Sequence, residues 1–152
     1  MNAAEAEGIV EDSLAQLKRE QPELFTLEVS ERAITHQLAI CIAARVGPGL
    51  SVDTEYNRHF KEPKRLNLPP RRALDRETRA TTALPDIIVH VRDTDASNLM
   101  VLELKRLGEA KDYDALKLRA FKYELGYRHA AHVTVGATRA GEPFSEVEWL
   151  VG

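Results

Sequence analysis

Hydrophobic side chains recur at helical spacing in the N-terminal third of the chain. Residues 5–20 place apolar side chains at roughly helical intervals and are followed by Pro22, so they predict an N-terminal helix. Ser30 is a favourable N-cap residue and predicts a second helix, which continues to about Val46. The run Gly47-Pro48-Gly49 then ends this helix.

Beyond the second helix, apolar positions fall into short runs typical of β-strands. Residues 52–56 are the candidate first core strand, with Asp53 and Glu55 on one face. These two acids either face a functional site or form the wet face of an edge strand. Three further apolar runs follow along the chain: residues 85–89, residues 101–105 and the C-terminal residues 144–151.

Three ionisable side chains interrupt the runs of residues 85–89 and 101–105: Asp86, Glu103 and Lys105. Successive side chains of a strand point to opposite faces, so Glu103 and Lys105 share one face of their strand. The polar residues between the two runs predict a hairpin loop. A hairpin register that pairs Val91 with Asn98 sets Asp86 directly opposite Glu103, so the three charged groups converge.

An Asp and a Glu side by side on one sheet face predict a cation between them. Partly buried like charges repel one another, and a divalent ion bound by oxygen atoms, such as Mg²⁺ or Mn²⁺, compensates them. We expect Asp86, Glu103 and the backbone carbonyl of Leu104 to hold this ion together with water molecules. The alternative is a structural ion-pair cluster of Asp86, Glu103 and Lys105.

The runs Pro85-Asp86 and Glu103-Leu104-Lys105 resemble the signature of the PD-(D/E)XK nuclease superfamily, which has the restriction-endonuclease-like fold. Both halves lie in strand-like runs at a separation that suits a hairpin. Residues 30–36 are similar to the first core helix of that family, and residues 111–117 to the helix packed behind its catalytic hairpin. Residues 131–135 are similar to the strand that follows.

The resemblance implies an α/β fold with a central mixed β-sheet flanked by helices. Its αβββαβ core covers about residues 30–137, preceded by the extra N-terminal helix, and we expect residues 1–152 to form a single domain. The resemblance also implies an enzyme: a Mg²⁺-dependent nuclease, with Mn²⁺ as a substitute, that hydrolyses phosphodiester bonds in nucleic acid. DNA is favoured as the substrate by the resemblance alone.

The resemblance assigns roles to individual residues as well. Asp86 and Glu103 are implied as the metal-binding pair, and Lys105 as the group that orients the attacking water or stabilises the transition state. Glu31, on the first core helix, is implied as a further catalytic acid that faces the site. Its alternative is a first-turn acid favoured by the helix dipole. Lys117 is implied as a basic residue that approaches the scissile phosphate.

Positive charge is concentrated in one segment of an otherwise acidic chain. The formal net charge is −3, yet residues 58–79 carry eight basic residues against three acidic ones. Asn57 is a further candidate for a phosphate contact, and Glu55 a further acid near the metal. The alternative for the segment is a solvated surface loop. Phosphate contacts are expected from five of its basic residues: Arg58, Lys64, Arg65, Arg71 and Arg72.

Composition narrows the class of protein. A content of 43% hydrophobic and 30% charged residues is ordinary for a globular domain. The single cysteine, Cys41, excludes an internal disulfide, and no stretch is long and apolar enough to span a membrane. The N-terminus lacks the pattern of an export signal, so we expect a cytoplasmic protein. Sequence specificity would come from a homodimer, from the basic segment or from a larger protein assembly.

Two other functions stay open. The first keeps the fold without catalysis, as a nucleic-acid-binding or scaffold subunit of a bacterial defence or repair assembly. The second is a nuclease that acts on RNA.

His129 and His132 are spaced like a pair of metal ligands, but no third ligand accompanies them at useful spacing, so a zinc site is not expected.

Overall fold

The computed structural model describes residues 1–56, 84–94 and 96–152 with their side chains, together with the backbone of four two-residue strands between residues 58 and 82. In chain order the elements are α1 (Ala3–Glu20), α2 (Glu23–Thr26), α3 (Glu31–Ala43), β1 (Ser51–Thr54), β2 (Arg58–His59), β3 (Glu62–Pro63), β4 (Arg65–Leu66), β5 (Thr81–Thr82), β6 (Ile87–His90), β7 (Met100–Arg106), α4 (Asp112–Glu124), β8 (His129–Ala137) and β9 (Pro143–Trp149).

Helices α1 and α3 begin where the sequence provides a cap. The Asn2 side chain accepts a hydrogen bond from the Glu5 amide, and the Glu5 carboxylate accepts one from the Asn2 amide, which is a reciprocal capping box. The Ser30 hydroxyl oxygen accepts a hydrogen bond from the Ala33 amide at 3.3 Å, which confirms the predicted start of α3. This helix ends at Ala43, earlier than expected, and just beyond it the Arg45 amide bonds the Ile42 carbonyl in an i to i+3 turn.

The central feature is a five-stranded mixed sheet in the order β1, β6, β7, β8, β9. The pairs β1 with β6, β6 with β7 and β8 with β9 are antiparallel, whereas β7 and β8 are parallel. Helix α4 makes the crossover between the two parallel strands, as a parallel connection requires. The predicted α/β class with a mixed sheet flanked by helices is therefore confirmed.

Helices cover both faces of this sheet. Ile87, Leu102 and Val133 lie on one face in a core with α1, α2 and α3, and all three are fully buried. On the other face Ile88 and Val101 pack against residues of α4. Because both faces of the central strands are covered, β6 and most of β7 read as continuous apolar runs, and a charge within them stands out. None of the helices in the described ranges is long and apolar enough to cross a bilayer.

The first core strand is shorter than predicted, and its acids do not share a face. Strand β1 ends at Thr54, and Glu55 has a φ of +52°, in the left-handed region, so the alternation of side chains stops there. Asp53 is not on a wet face: its carboxylate accepts hydrogen bonds from Arg92 and lies 2.7 Å from His90 Nε2. Burial opposes ionisation of Asp53, but Arg92 and His90 lower its pKa below the ordinary value.

The position of the β6–β7 hairpin depends on apolar packing beneath it, and this can be tested with a pair of leucines. Leu102 belongs to β7 and its side chain is fully buried. Leu102→Ala should therefore lower the free energy of unfolding by about 2–5 kcal/mol. Leu116 on α4 is 44% exposed, and Leu116→Ala should change that free energy by less than about 0.5 kcal/mol. Urea unfolding of both variants measures the difference, and equal losses would contradict the core assignment.

Candidate active site

The β6–β7 hairpin brings Asp86 and Glu103 together. The observed register pairs Ile87 with Leu102 and Val89 with Met100. One further step along this register sets Asp86 opposite Glu103, so the predicted register is confirmed. Asp86 immediately precedes β6, and its Oδ2 atom accepts a hydrogen bond from the Leu104 amide at 2.7 Å. This bond fixes the Asp86 carboxylate against the neighbouring strand.

Glu103 is a buried carboxylate with one cationic neighbour. Its residue is 1% exposed, and the Lys117 ammonium lies 3.2 Å from both carboxylate oxygens. The same ammonium donates a hydrogen bond to the Leu84 carbonyl at 2.9 Å. Burial and the adjacent Asp86 carboxyl raise the pKa of Glu103 well above its ordinary value, even though Lys117 acts in the opposite direction. Burial and the neighbouring acid therefore favour the neutral form of Glu103 more than Lys117 favours its charged form.

Lys105 lies on the Glu103 face, as predicted, but its partner is a different acid. Its ammonium is 3.2 Å from Asp114 Oδ2 on α4. Burial favours the neutral amine, yet Asp114 outweighs burial and raises the pKa of Lys105. A lysine held in its protonated form cannot accept a proton, so Lys105 can act as a fixed positive charge but not as a general base.

Two members of this cluster, Asp114 and His132, were not predicted as site residues. Burial opposes the charge of Asp114, whereas His132 and Lys105 lower its pKa below the ordinary value. His132 Nε2 lies 3.7 Å from Asp114 Oδ2, too long for a hydrogen bond, and both ring nitrogens of His132 are buried without a hydrogen-bond partner. The i to i+3 spacing of Asp114 and Lys117 was the available signal, because it sets both side chains on one helix face.

Glu31 reaches the edge of the same site from α3. Burial and the neighbouring carboxyl of Glu109 raise the pKa of Glu31, against the lowering effect of Lys105, and Asp86 adds to the rise. Glu31 also lines a cavity of about 380 Å³ together with Asp86 and Arg32. The predicted acid of the first helix therefore does lie beside the carboxylate pair. Glu109, which follows β7, was not predicted.

The remaining candidates lie elsewhere or outside the described residues. Glu55 forms an ion pair with Arg32 at 3.2 Å, and both line the cavity that Asp86 borders. Arg58 and Arg65 fall in two-residue strands of which only the backbone is described. Four further candidates lie outside the described residues: Asn57, Lys64, Arg71 and Arg72.

The donor atoms at the hairpin fit a magnesium ion that keeps part of its water shell. Glu103 Oε1 is buried with the Lys117 ammonium 3.2 Å away, and the Asp86 carboxyl is next to the Glu103 carboxyl. The amide and carbonyl of one strand residue point to the same side, so the Leu104 carbonyl faces the side of Asp86 too. Within the described ranges no three His, Cys, Asp or Glu side chains are grouped as metal ligands. Mg²⁺ needs only one or two carboxylates.

Comparison with known proteins found no match to this chain. The chain matches no protein-family model, no curated protein and no solved structure.

The raised pKa of Glu103 predicts how the stability of the metal-free protein depends on pH. A carboxyl whose pKa is raised on folding is favoured in its protonated form, so stability falls as the pH rises from about 4.5, the ordinary Glu value, through the folded pKa. Glu103→Gln mimics the protonated form. Thermal unfolding in EDTA should show this variant to be more stable than the natural protein at pH 7, with the difference vanishing below pH 4.5. A difference that does not depend on pH would contradict the assigned shift.

Proposed function

We propose that this protein is a Mg²⁺-dependent nuclease that hydrolyses phosphodiester bonds in nucleic acid, with DNA as the favoured substrate. One observation carries the proposal: the hairpin sets Asp86 opposite Glu103 with Lys105 on the same face. Two adjoining carboxylates followed by a fixed ammonium form an arrangement suited to a hard cation and a phosphate group.

The order of the elements supports the proposed membership of the PD-(D/E)XK superfamily. Helix α3, the strands β1, β6 and β7, helix α4 and strand β8 follow one another in the αβββαβ order that the resemblance implies. The short strands between residues 58 and 82, helices α1 and α2, and the edge strand β9 are then additions to that core.

The proposed chemistry divides among a few side chains. Asp86, Glu103 and the Leu104 carbonyl hold Mg²⁺, or Mn²⁺ in its place. When bound, the ion supplies an activated water and neutralises charge that develops on the phosphoryl oxygens. Lys105, kept protonated by Asp114, contributes positive charge beside the phosphate. Glu31 orients water at the edge of the site.

Substrate binding is assigned to the positive charge outside the hairpin. The basic segment follows β1 in the chain and precedes the Asp86 strand, so its arginines and lysines are proposed to contact phosphates. Sequence specificity would come from this segment, from a homodimer or from a larger assembly. The proposed compartment is the cytoplasm.

A second candidate function, a non-catalytic nucleic-acid-binding or scaffold subunit, is favoured by one specific observation. Glu103 is paired with Lys117, and Lys105 is paired with Asp114. Such pairing is also what a purely structural ion cluster would have. Metal binding distinguishes the two functions, because a structural cluster has no need of a divalent ion.

The proposed metal site predicts the effect of neutralising either carboxylate. Asp86→Asn and Glu103→Gln should each abolish Mg²⁺ binding and cleavage while leaving the fold intact, since removing a repulsive charge does not unpair the strands. Glu148→Gln is the matched control, because Glu148 is an exposed acid beside His132 in the register and its partner is Lys111. Calorimetry with Mg²⁺ measures binding, and single-stranded DNA, duplex DNA and RNA are tested for cleavage side by side.

Each result of that experiment has a distinct meaning. Unchanged Mg²⁺ affinity in both carboxylate variants would refute the metal site. Mg²⁺ binding without cleavage of any of the three substrates would favour the non-catalytic alternative. Cleavage of RNA alone would correct the substrate to RNA.

Lys105 is predicted to affect the rate and not the metal. Because its ammonium contacts Asp114 and not the carboxylate pair, Lys105→Gln should retain Mg²⁺ affinity but lose about a hundredfold or more in kcat, the loss typical of a removed transition-state donor. Lys111→Gln removes a lysine from an exposed pair with Glu148 and should retain full activity. Single-turnover cleavage assays compare the variants, and an active Lys105→Gln would return Lys105 to a structural role.

A further inference from the structure

Lys117, like Lys105 with its 17% exposed side chain, is a mostly buried lysine paired with a buried carboxylate. Its side chain is 12% exposed, and its ammonium lies 3.2 Å from both oxygens of Glu103, whose own side chain is 2% exposed. By contrast, Lys111 is 42% exposed where it pairs with Glu148. The Lys117 ammonium is therefore largely removed from water and centred on the carboxylate that the proposed metal requires.

The second lysine of the site does not share this position. Lys105 is held by Asp114 at 3.2 Å. Lys117 also donates to the Leu84 carbonyl at 2.9 Å, two residues before Asp86. Its ammonium therefore meets oxygen atoms from the segment that leads into β6 and from β7, as a bound cation would.

A divalent ion and the Lys117 ammonium cannot both contact the Glu103 carboxylate without strong repulsion. An ion bound to Glu103 would lie within a few ångströms of the Lys117 nitrogen, and like charges at that distance in a water-poor environment repel strongly. Lysine has a flexible four-carbon stem, so its ammonium can leave the carboxylate while the α4 backbone stays in place.

We propose that Lys117 is the resident cation of the metal-free site and that a divalent ion displaces it from Glu103. This inference rests on the proposed function, since it assumes that Asp86 and Glu103 bind the ion. It adds that metal binding is an exchange of cations, so the protein's own lysine sets the metal affinity and keeps the buried carboxylate compensated when the ion is absent.

The exchange is tested by measuring Mn²⁺ affinity in the full chain. Lys117→Gln removes the competing charge and should bind Mn²⁺ about tenfold more tightly than the natural protein. Lys111→Gln removes a lysine from an exposed pair at the N-cap of the same helix and should stay within about twofold. Lys117→Arg retains the competing charge and should not gain affinity. Electron paramagnetic resonance of free Mn²⁺ and calorimetry give the dissociation constants.

A measurement on the natural protein covers the case in which Lys117→Gln does not fold. Saturating Mg²⁺ should free the Lys117 amine, so its acetylation by an amine-reactive reagent, followed by mass spectrometry, should increase several-fold. Acetylation of Lys105 should not change, because its pairing with Asp114 is separate from the exchange. Acetylation of Lys117 that is insensitive to Mg²⁺ would overturn the proposal.

The outcomes separate this inference from the proposed function. If the natural protein binds Mn²⁺, Glu103→Gln does not, and Lys117→Gln shows no gain, the metal site stands and the exchange is refuted. If neither the natural protein nor Lys117→Gln binds Mn²⁺, the proposed function fails and the exchange fails with it. A tenfold gain in Lys117→Gln alone supports both.

Discussion

The arrangement of the site depends on one constraint, the burial of the Glu103 carboxyl directly beside that of Asp86. The antiparallel register of β6 and β7 imposes this proximity, and the hydrogen bond from the Leu104 amide holds Asp86 in place. Burial and the neighbouring acid together raise the pKa of Glu103. The lysines nearby therefore lie where they compensate the buried carboxyl groups.

Helix α4 supplies two of the charged side chains that pair with the hairpin residues. It crosses from β7 to β8 over one face of the sheet, where its apolar residues pack on Ile88 and Val101. The same packing brings Lys117 to Glu103 and Asp114 to Lys105. One helix therefore contributes both a basic and an acidic side chain to the site. The hydrophobic contacts thus set the positions at which the charges meet.

Acidic side chains outnumber lysines in this cluster. Asp86, Glu103 and Asp114 face Lys105 and Lys117, with Glu31 at the edge, so carboxyl groups outnumber ammonium groups. Glu103 Oε1 and Asp114 Oδ2 are buried, and each has a lysine ammonium 3.2 Å away as its cationic neighbour. Buried carboxyl groups in excess of their lysines are costly for a purely structural cluster, whereas they suit a site that takes up a divalent ion. This imbalance is the physical link between the fold and the proposed chemistry.

Local pattern was enough to predict the hairpin pairing of Asp86 with Glu103, the face shared by Glu103 and Lys105, and the cap of α3 at Ser30. These features follow from side-chain alternation and from residues close in sequence. The partners of the charges did not follow, because Lys117, Asp114 and His132 reach the site through the docking of α4 and the parallel pairing of β7 with β8. At the left-handed turn of Glu55 the backbone amide likewise donates to the carbonyl of a residue distant in sequence, Pro85, at 2.9 Å. Sequence periodicity determined which face each group occupies, and only tertiary packing decided which charges meet across it.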